Sequence, residues 1–216
     1  MTNNWNVRDL ETWKAAVNGI RNGGNGMTHS IAINADILVP VTPVAEKTFG
    51  SAVNITVTLE GRGSLSPSDG GTLLRIGNGQ TVIVRDLTLR GRGDSMMTVV
   101  AAWGGEFVME GGAVITGNFG GGVSVSADGK FIMKDRAVVK GNSNTGVFVD
   151  YGSPGTFIMK DNASVSGNTE DGVYVGKAST FIMEGGTVSG NSGRGVRVDD
   201  GTFINKGGTV SGNTEG

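Results

Sequence analysis

Five times between Phe107 and Asn213 the chain repeats one phrase: FVMEGGAVITGN at 107–118, FIMKDRAVVKGN at 131–142, FIMKDNASVSGN at 157–168, FIMEGGTVSGN at 181–191 and FINKGGTVSGN at 203–213. A repeat this short is one supersecondary unit that cannot bury its apolar side chains alone and must stack on its neighbours. The chain therefore reads as a solenoid.

Within one unit, Phe157-Ile158-Met159 is a short apolar strand, Lys160-Asp161-Asn162 a turn, Ala163 to Ser166 a second strand and Gly167-Asn168 a second turn, with Gly172-Val173-Tyr174-Val175 as a third strand. Strand side chains alternate between faces, which sends Phe157 and Met159, Ala163 and Val165, and Val173 and Val175 inward. Three strands per coil, with the same sequence one coil later, predict a parallel β-helix in which each strand lies about 4.8 Å from its copy. Stacking then places like on like. Phe107, Phe131, Phe157, Phe181 and Phe203 form an aromatic column, the valine pairs 123/125, 147/149, 173/175 and 196/198 form two more, and Asn118, Asn142, Asn168, Asn191 and Asn213 form an asparagine ladder at the Gly-Asn turn. The 39 glycines fit such a turn-rich chain.

Upstream the pattern degenerates. Ser30 to Ile37 reads as an early coil, and Val57 to Gly63 aligns with Leu87 to Gly93 through a shared Gly-Arg-Gly; Pro40, Pro43, Glu46 to Ser51 and Ser64 to Gly71 are expected to bulge out as loops. Residues 25–216 are taken as one β-helix, with degenerate coils over 30–106 and regular repeats over 107–216. Over 1–24, Leu10, Trp13, Val17 and Ile20 recur at helical spacing behind Asn6 and Asp9, which predicts an amphipathic helix capping the open end of the solenoid. The other end shows no such lid before Gly216, so end-to-end self-association through an uncapped C-terminal coil is expected.

The phrases GTFIM (155–159), GGTVSGN (185–191) and GVYV (172–175) resemble right-handed parallel β-helix proteins of the pectate-lyase-like superfamily, and specifically the Gly/Asn-rich repeats of bacterial surface and adhesin-like proteins. The resemblance implies an all-β fold, a right-handed parallel β-helix solenoid with an N-terminal capping helix. It implies no single activity, because polysaccharide lyases and glycoside hydrolases share that fold with non-enzymatic adhesins and stalks.

Candidate chemistry is sparse. A formal net charge of −2 without a basic block points away from nucleic acid. No apolar run is long enough to span a membrane, and the opening MTNNWNVRD lacks the layout of a secretion signal, so the expectation is a piece of a longer exported protein, extracellular or at the cell surface. With no cysteine and a single histidine, His29, thiolate sites and histidine-based triads are unsupported; packing is the economical role for His29, and no cofactor is indicated. Asp135 and Asp161, equivalent positions of adjacent coils, are the best calcium candidates, weakly seconded by Asp150, Asp171, Asp199 and Asp200. Arg92-Gly93-Asp94-Ser95 spells the tetrapeptide that integrins read, although Arg62-Gly63-Ser64 shows the same frame arising as a turn.

Outward positions are more informative. Val108, Ile132, Ile158, Ile182 and Ile204 form an aliphatic stripe, and soluble proteins seldom leave such a stripe bare. The leading expectation is a non-catalytic structural or adhesive β-helix segment that presents this face to glycans or a host surface protein. The alternative is a carbohydrate-active enzyme with its site in coils 30–106, where Asp36, Glu46, Glu60, Arg62, Asp69, Arg75, Arg85, Asp86, Arg90 and Asp94 concentrate.

Overall fold

A computed structural model describes residues 2–150 and 152–215. Three parallel sheets wind into a right-handed solenoid of about eight turns. The nine-stranded sheet is built from Thr2–Val7, Thr28–Ile33, Ile55–Glu60, Gln80–Arg85, Glu106–Glu110, Gly129–Met133, Gly155–Met159, Thr180–Met183 and Thr202–Asn205. The eight-stranded sheet follows one turn later in each coil, through Asp36–Val39, Ser64–Pro67, Thr88–Arg90, Val114–Thr116, Val138–Lys140, Ser164–Ser166, Thr187–Ser189 and Thr209–Ser211. A six-stranded sheet closes the coil with Leu74–Gly77, Val100–Trp103, Val123–Ser126, Val147–Val149, Val173–Val175 and Val196–Val198.

Register puts identical residues in contact. Phe107 pairs with Phe131, Phe131 with Phe157, Phe157 with Phe181 and Phe181 with Phe203. Their rings stack nearly parallel with centroids 5.1, 4.9, 4.6 and 4.9 Å apart, which is the strand spacing itself. The backbone ladder thus sets a stacked geometry, and burial of successive rings supplies the stabilisation. Met109, Met133, Met159 and Met183 stand beside them, all buried, until Asn205 replaces the fifth methionine. Its side chain turns to the backbone N–H groups of Gly207 and Gly208 and the carbonyl of Gly208.

The asparagine ladder occupies the bend between the eight- and six-stranded sheets. Asn142, Asn168 and Asn191 each donate their side-chain amide to the Oδ1 of the next asparagine at 2.9–3.0 Å, and their backbone N–H groups share the same acceptors. Asn118 accepts no place in the side-chain chain. Its amide turns to the Met97 and Gly121 carbonyls, while its backbone N–H donates to Asn142. The preceding Gly117, Gly141, Gly167, Gly190 and Gly212 all have φ between 62° and 75°, the left-handed conformation this bend requires.

The N-terminal segment differs from its expectation. Residues Thr2–Val7 are not helical: they form the edge strand of the nine-stranded sheet, in register with Thr28–Ile33, because Asn3, Trp5 and Val7 alternate inward like any other coil. The helix α1 spans Leu10–Asn22. Its cap is Asp9 with Thr12, whose backbone N–H donates to Asp9 Oδ1 at 2.8 Å while the Asp9 N–H donates to Thr12 Oγ1 at 3.1 Å; Asn6 belongs to the strand. Trp13, Ala16 and Ile20 pack into the core over the end of the solenoid, with Leu10 and Val17 at its margin.

Two upstream expectations are also revised. Val57 to Gly63 does not stack on Leu87 to Gly93. Val57 and Leu59 pair with Val82 and Val84 in the nine-stranded sheet, whereas Leu89 pairs with Leu65 in the eight-stranded one. Ser64–Pro67 is a strand rather than a loop, and within the 40–51 loop Thr48 and Phe49 turn inward and are buried. No helix among the described residues is long and apolar enough to cross a membrane.

Candidate functional site: the outward strand faces

On the outside of the nine-stranded sheet three columns run along the axis. The central one is the expected stripe, in register from Ile83 through Val108, Ile132, Ile158 and Ile182 to Ile204. Ile83 extends it by one coil beyond the expected set. The stripe is sunk between its neighbours: Val108 is only 7% exposed, Ile132, Ile158 and Ile182 are half-buried, and Ile204 is open at 39%.

One flank holds Thr81, Glu106, Lys130, Thr156, Thr180 and Thr202. The other is an ion ladder. Arg85 bridges Glu60 at 3.1 Å and Glu110 at 2.7 Å, Lys134 reaches Glu110 at 2.8 Å, and Glu184 joins Lys160 at 2.9 Å to Lys206 at 3.5 Å. Burial pushes the Glu110 carboxyl up, but hydrogen bonds from Lys134 and Arg85 outweigh it and hold the group below its ordinary value. Glu110 in turn raises Lys134 and Arg85. These side chains neutralise one another across coils, so the face is aliphatic at its centre and charge-balanced at its rim.

The acidic candidates serve turns. Asp135 and Asp161 have φ of 56° and 53°; Asp135 Oδ2 accepts from the Gly111 N–H at 2.9 Å, and Asp161 Oδ2 from the Asp135 N–H at 3.1 Å. Asp86 holds the same column, with φ 54° and a bond from the Gly112 N–H. This is an aspartate cap on successive left-handed bends. Asp171 accepts from the Arg194 N–H and Asp199 pairs with Arg197. Among the described residues no group of three His, Asp or Glu side chains is placed to hold a metal ion.

The charged residues of coils 30–106 are dispersed rather than gathered. Asp36 accepts from Ser64, Glu46 pairs with Arg21, Glu60 and Arg85 belong to the ion ladder, and Asp69 accepts from the Gly70 N–H. In the Arg92-Gly93-Asp94 segment the guanidinium folds back onto its own neighbour, with Nε and Nη2 at 2.8 and 2.7 Å from the two Asp94 oxygens. His29 points into the core on Thr28–Ile33, fully buried, and burial pushes its pKa down.

A second face went unread in the sequence. Outside the six-stranded sheet, Arg75, Ala101, Ser124, Phe148, Tyr174 and Arg197 form one column. Trp103 lies beside it, under the Arg75 guanidinium at 4.0 Å, and Arg197 lies 5.4 Å from the Tyr174 ring. The only sequence signal was aromatic residues at outward positions between inward valines, as in Val147-Phe148-Val149 and Val173-Tyr174-Val175. A model of the right handed beta helix region matches residues 103–215. The chain belongs to that family. No curated protein and no solved structure matches it. The β-helix fold occurs in enzymes and in structural proteins alike, so the fold by itself assigns no function.

Proposed function

We propose that this β-helix is a non-catalytic structural and adhesive segment of a bacterial extracellular or cell-surface protein, a rigid scaffold whose outward strand faces bind a glycan or surface protein. One observation carries the reading: the residues that repeat from coil to coil are spent on the ladder itself. The asparagines bond asparagines, the aspartates cap turns and the charges on the nine-stranded sheet pair across coils. Repetition of that kind favours stiffness and length over a single reactive centre.

The aliphatic stripe is the proposed contact face, with Ile158 and Ile182 at its centre. Charging it by the double substitution Ile158→Lys and Ile182→Lys should abolish binding to glycan arrays or cell surfaces while circular dichroism stays unchanged. Retained binding rejects that face. Turnover of polyuronates or neutral glycans, screened with and without calcium, would reject the non-catalytic reading.

A further inference from the structure

Arg75 is out of place by the standards of this molecule. It is 9% exposed, lines a groove and, among the described residues, has neither an ion pair nor a side-chain hydrogen bond. The other buried charge, Glu110, holds two cationic partners. Burial pushes the Arg75 pKa down with no carboxylate to offset it. Its one compensation is the Trp103 indole at 4.0 Å, and a cation–π contact returns less than the desolvation of a guanidinium takes away. A largely shielded guanidinium that reaches solvent only along a groove and has no carboxylate beside it is placed to receive an anion that arrives from outside.

The groove has a volume of about 300 Å³, at the small end for a ligand site. Thr98, Ser124 and Ser126 line it with hydroxyls, and the Thr72 hydroxyl there is buried without a partner. Trp103, 47% exposed, adds a flat apolar surface. Among the described residues Val44 on the 40–51 loop and Gly152-Ser153 beyond Val147–Val149 bound it, and its volume suits one ring rather than a threaded polymer.

We infer that the Arg75–Trp103 groove binds a terminal acidic sugar of a glycan, its carboxylate on the Arg75 guanidinium, its ring against Trp103 and its hydroxyls on the serine and threonine side chains. A planar carboxylate matches the guanidinium fork, and the hydroxyl lining matches a polyol better than a peptide end. The site lies on the six-stranded sheet and is independent of the aliphatic stripe.

The test is calorimetric titration of the 216-residue protein with N-acetylneuraminate and glucuronate, against glucose and N-acetylglycine as neutral-sugar and non-sugar carboxylate controls. The sugar acids should bind and the controls should not. Arg75→Met should weaken binding about thirtyfold or more, and Trp103→Ala should weaken it too. The Ile158→Lys, Ile182→Lys protein should bind as wild type, separating this site from the stripe. Arg75→Met should also melt at a higher temperature, since an apolar side chain of similar length no longer loses hydration there. Unchanged affinity in Arg75→Met, equal binding of glucose or N-acetylglycine, or no sugar-acid binding at millimolar concentration each overturns the assignment.

Discussion

Asn191 Oδ1 receives two hydrogen bonds from Asn168, one from its backbone N–H at 3.0 Å and one from its side-chain amide at 2.9 Å. Asn168 Oδ1 in turn takes the same pair from Asn142. Asn168→Ala therefore strands two buried donors of the coil before it. Chemical denaturation should show a loss of about 2–4 kcal/mol, with a clearly smaller loss for Asn213→Ala, whose site is partly open to water.

The phenylalanine column gives a graded series. Phe157 is fully buried between two rings, so Phe157→Ala should cost about 3–5 kcal/mol in urea melts. Phe203 stacks on one side only and is half-buried, and Phe203→Ala should cost less than half as much. Equal losses would mean the rings do not act as a stack.

Gly19 reverses the usual helix rule. In an exposed helix Gly→Ala gains about 1 kcal/mol, but a Cβ on Gly19 would lie 2.2 Å from the Trp5 ring, which joins the edge strand to α1. Gly19→Ala should lower the melting temperature, and Gly19→Ala combined with Trp5→Leu should recover part of the loss.

His29 makes stability fall on mild acidification. Its folded-state pKa lies below the ordinary value of 6.5, so the unfolded chain binds a proton that the folded chain refuses. Stability is fully present above pH 6.5 and declines as pH drops below it. His29→Met should remove the slope of unfolding free energy that begins below pH 6.5 while leaving the carboxylate-driven fall at lower pH.

Where coils repeat, strands, register and inward residues were legible before the structure, because stacking obliges each position to satisfy the same neighbour above and below. Phe157, Val165 and Asn168 could be placed from the phrase alone. The upstream coils misled because Gly-Arg-Gly serves two different bends: Gly61 follows a strand of the nine-stranded sheet and Gly91 one of the eight-stranded sheet. Gln80–Arg85, the true neighbour of Ile55–Glu60, shares no phrase with it. Thr2–Val7 was hidden by polar outward residues. The groove was invisible for another reason. Arg75 and Trp103 are unlike residues far apart in sequence, and only the pairing of Arg75 with Ala101 and Gly77 with Trp103 brings them together on the diagonal.

Because Asn168, Asn191 and Asn213 each take the same pair of hydrogen bonds at Oδ1 from the asparagine before them, a coil in this run carries no label of its own place in the stack. A gene could duplicate or delete one whole repeat, such as residues 131–156, and the seams would reseal with the same partners. Reach would then change in increments of about 4.8 Å, making the molecule a vernier whose length evolution can adjust without redesigning either end.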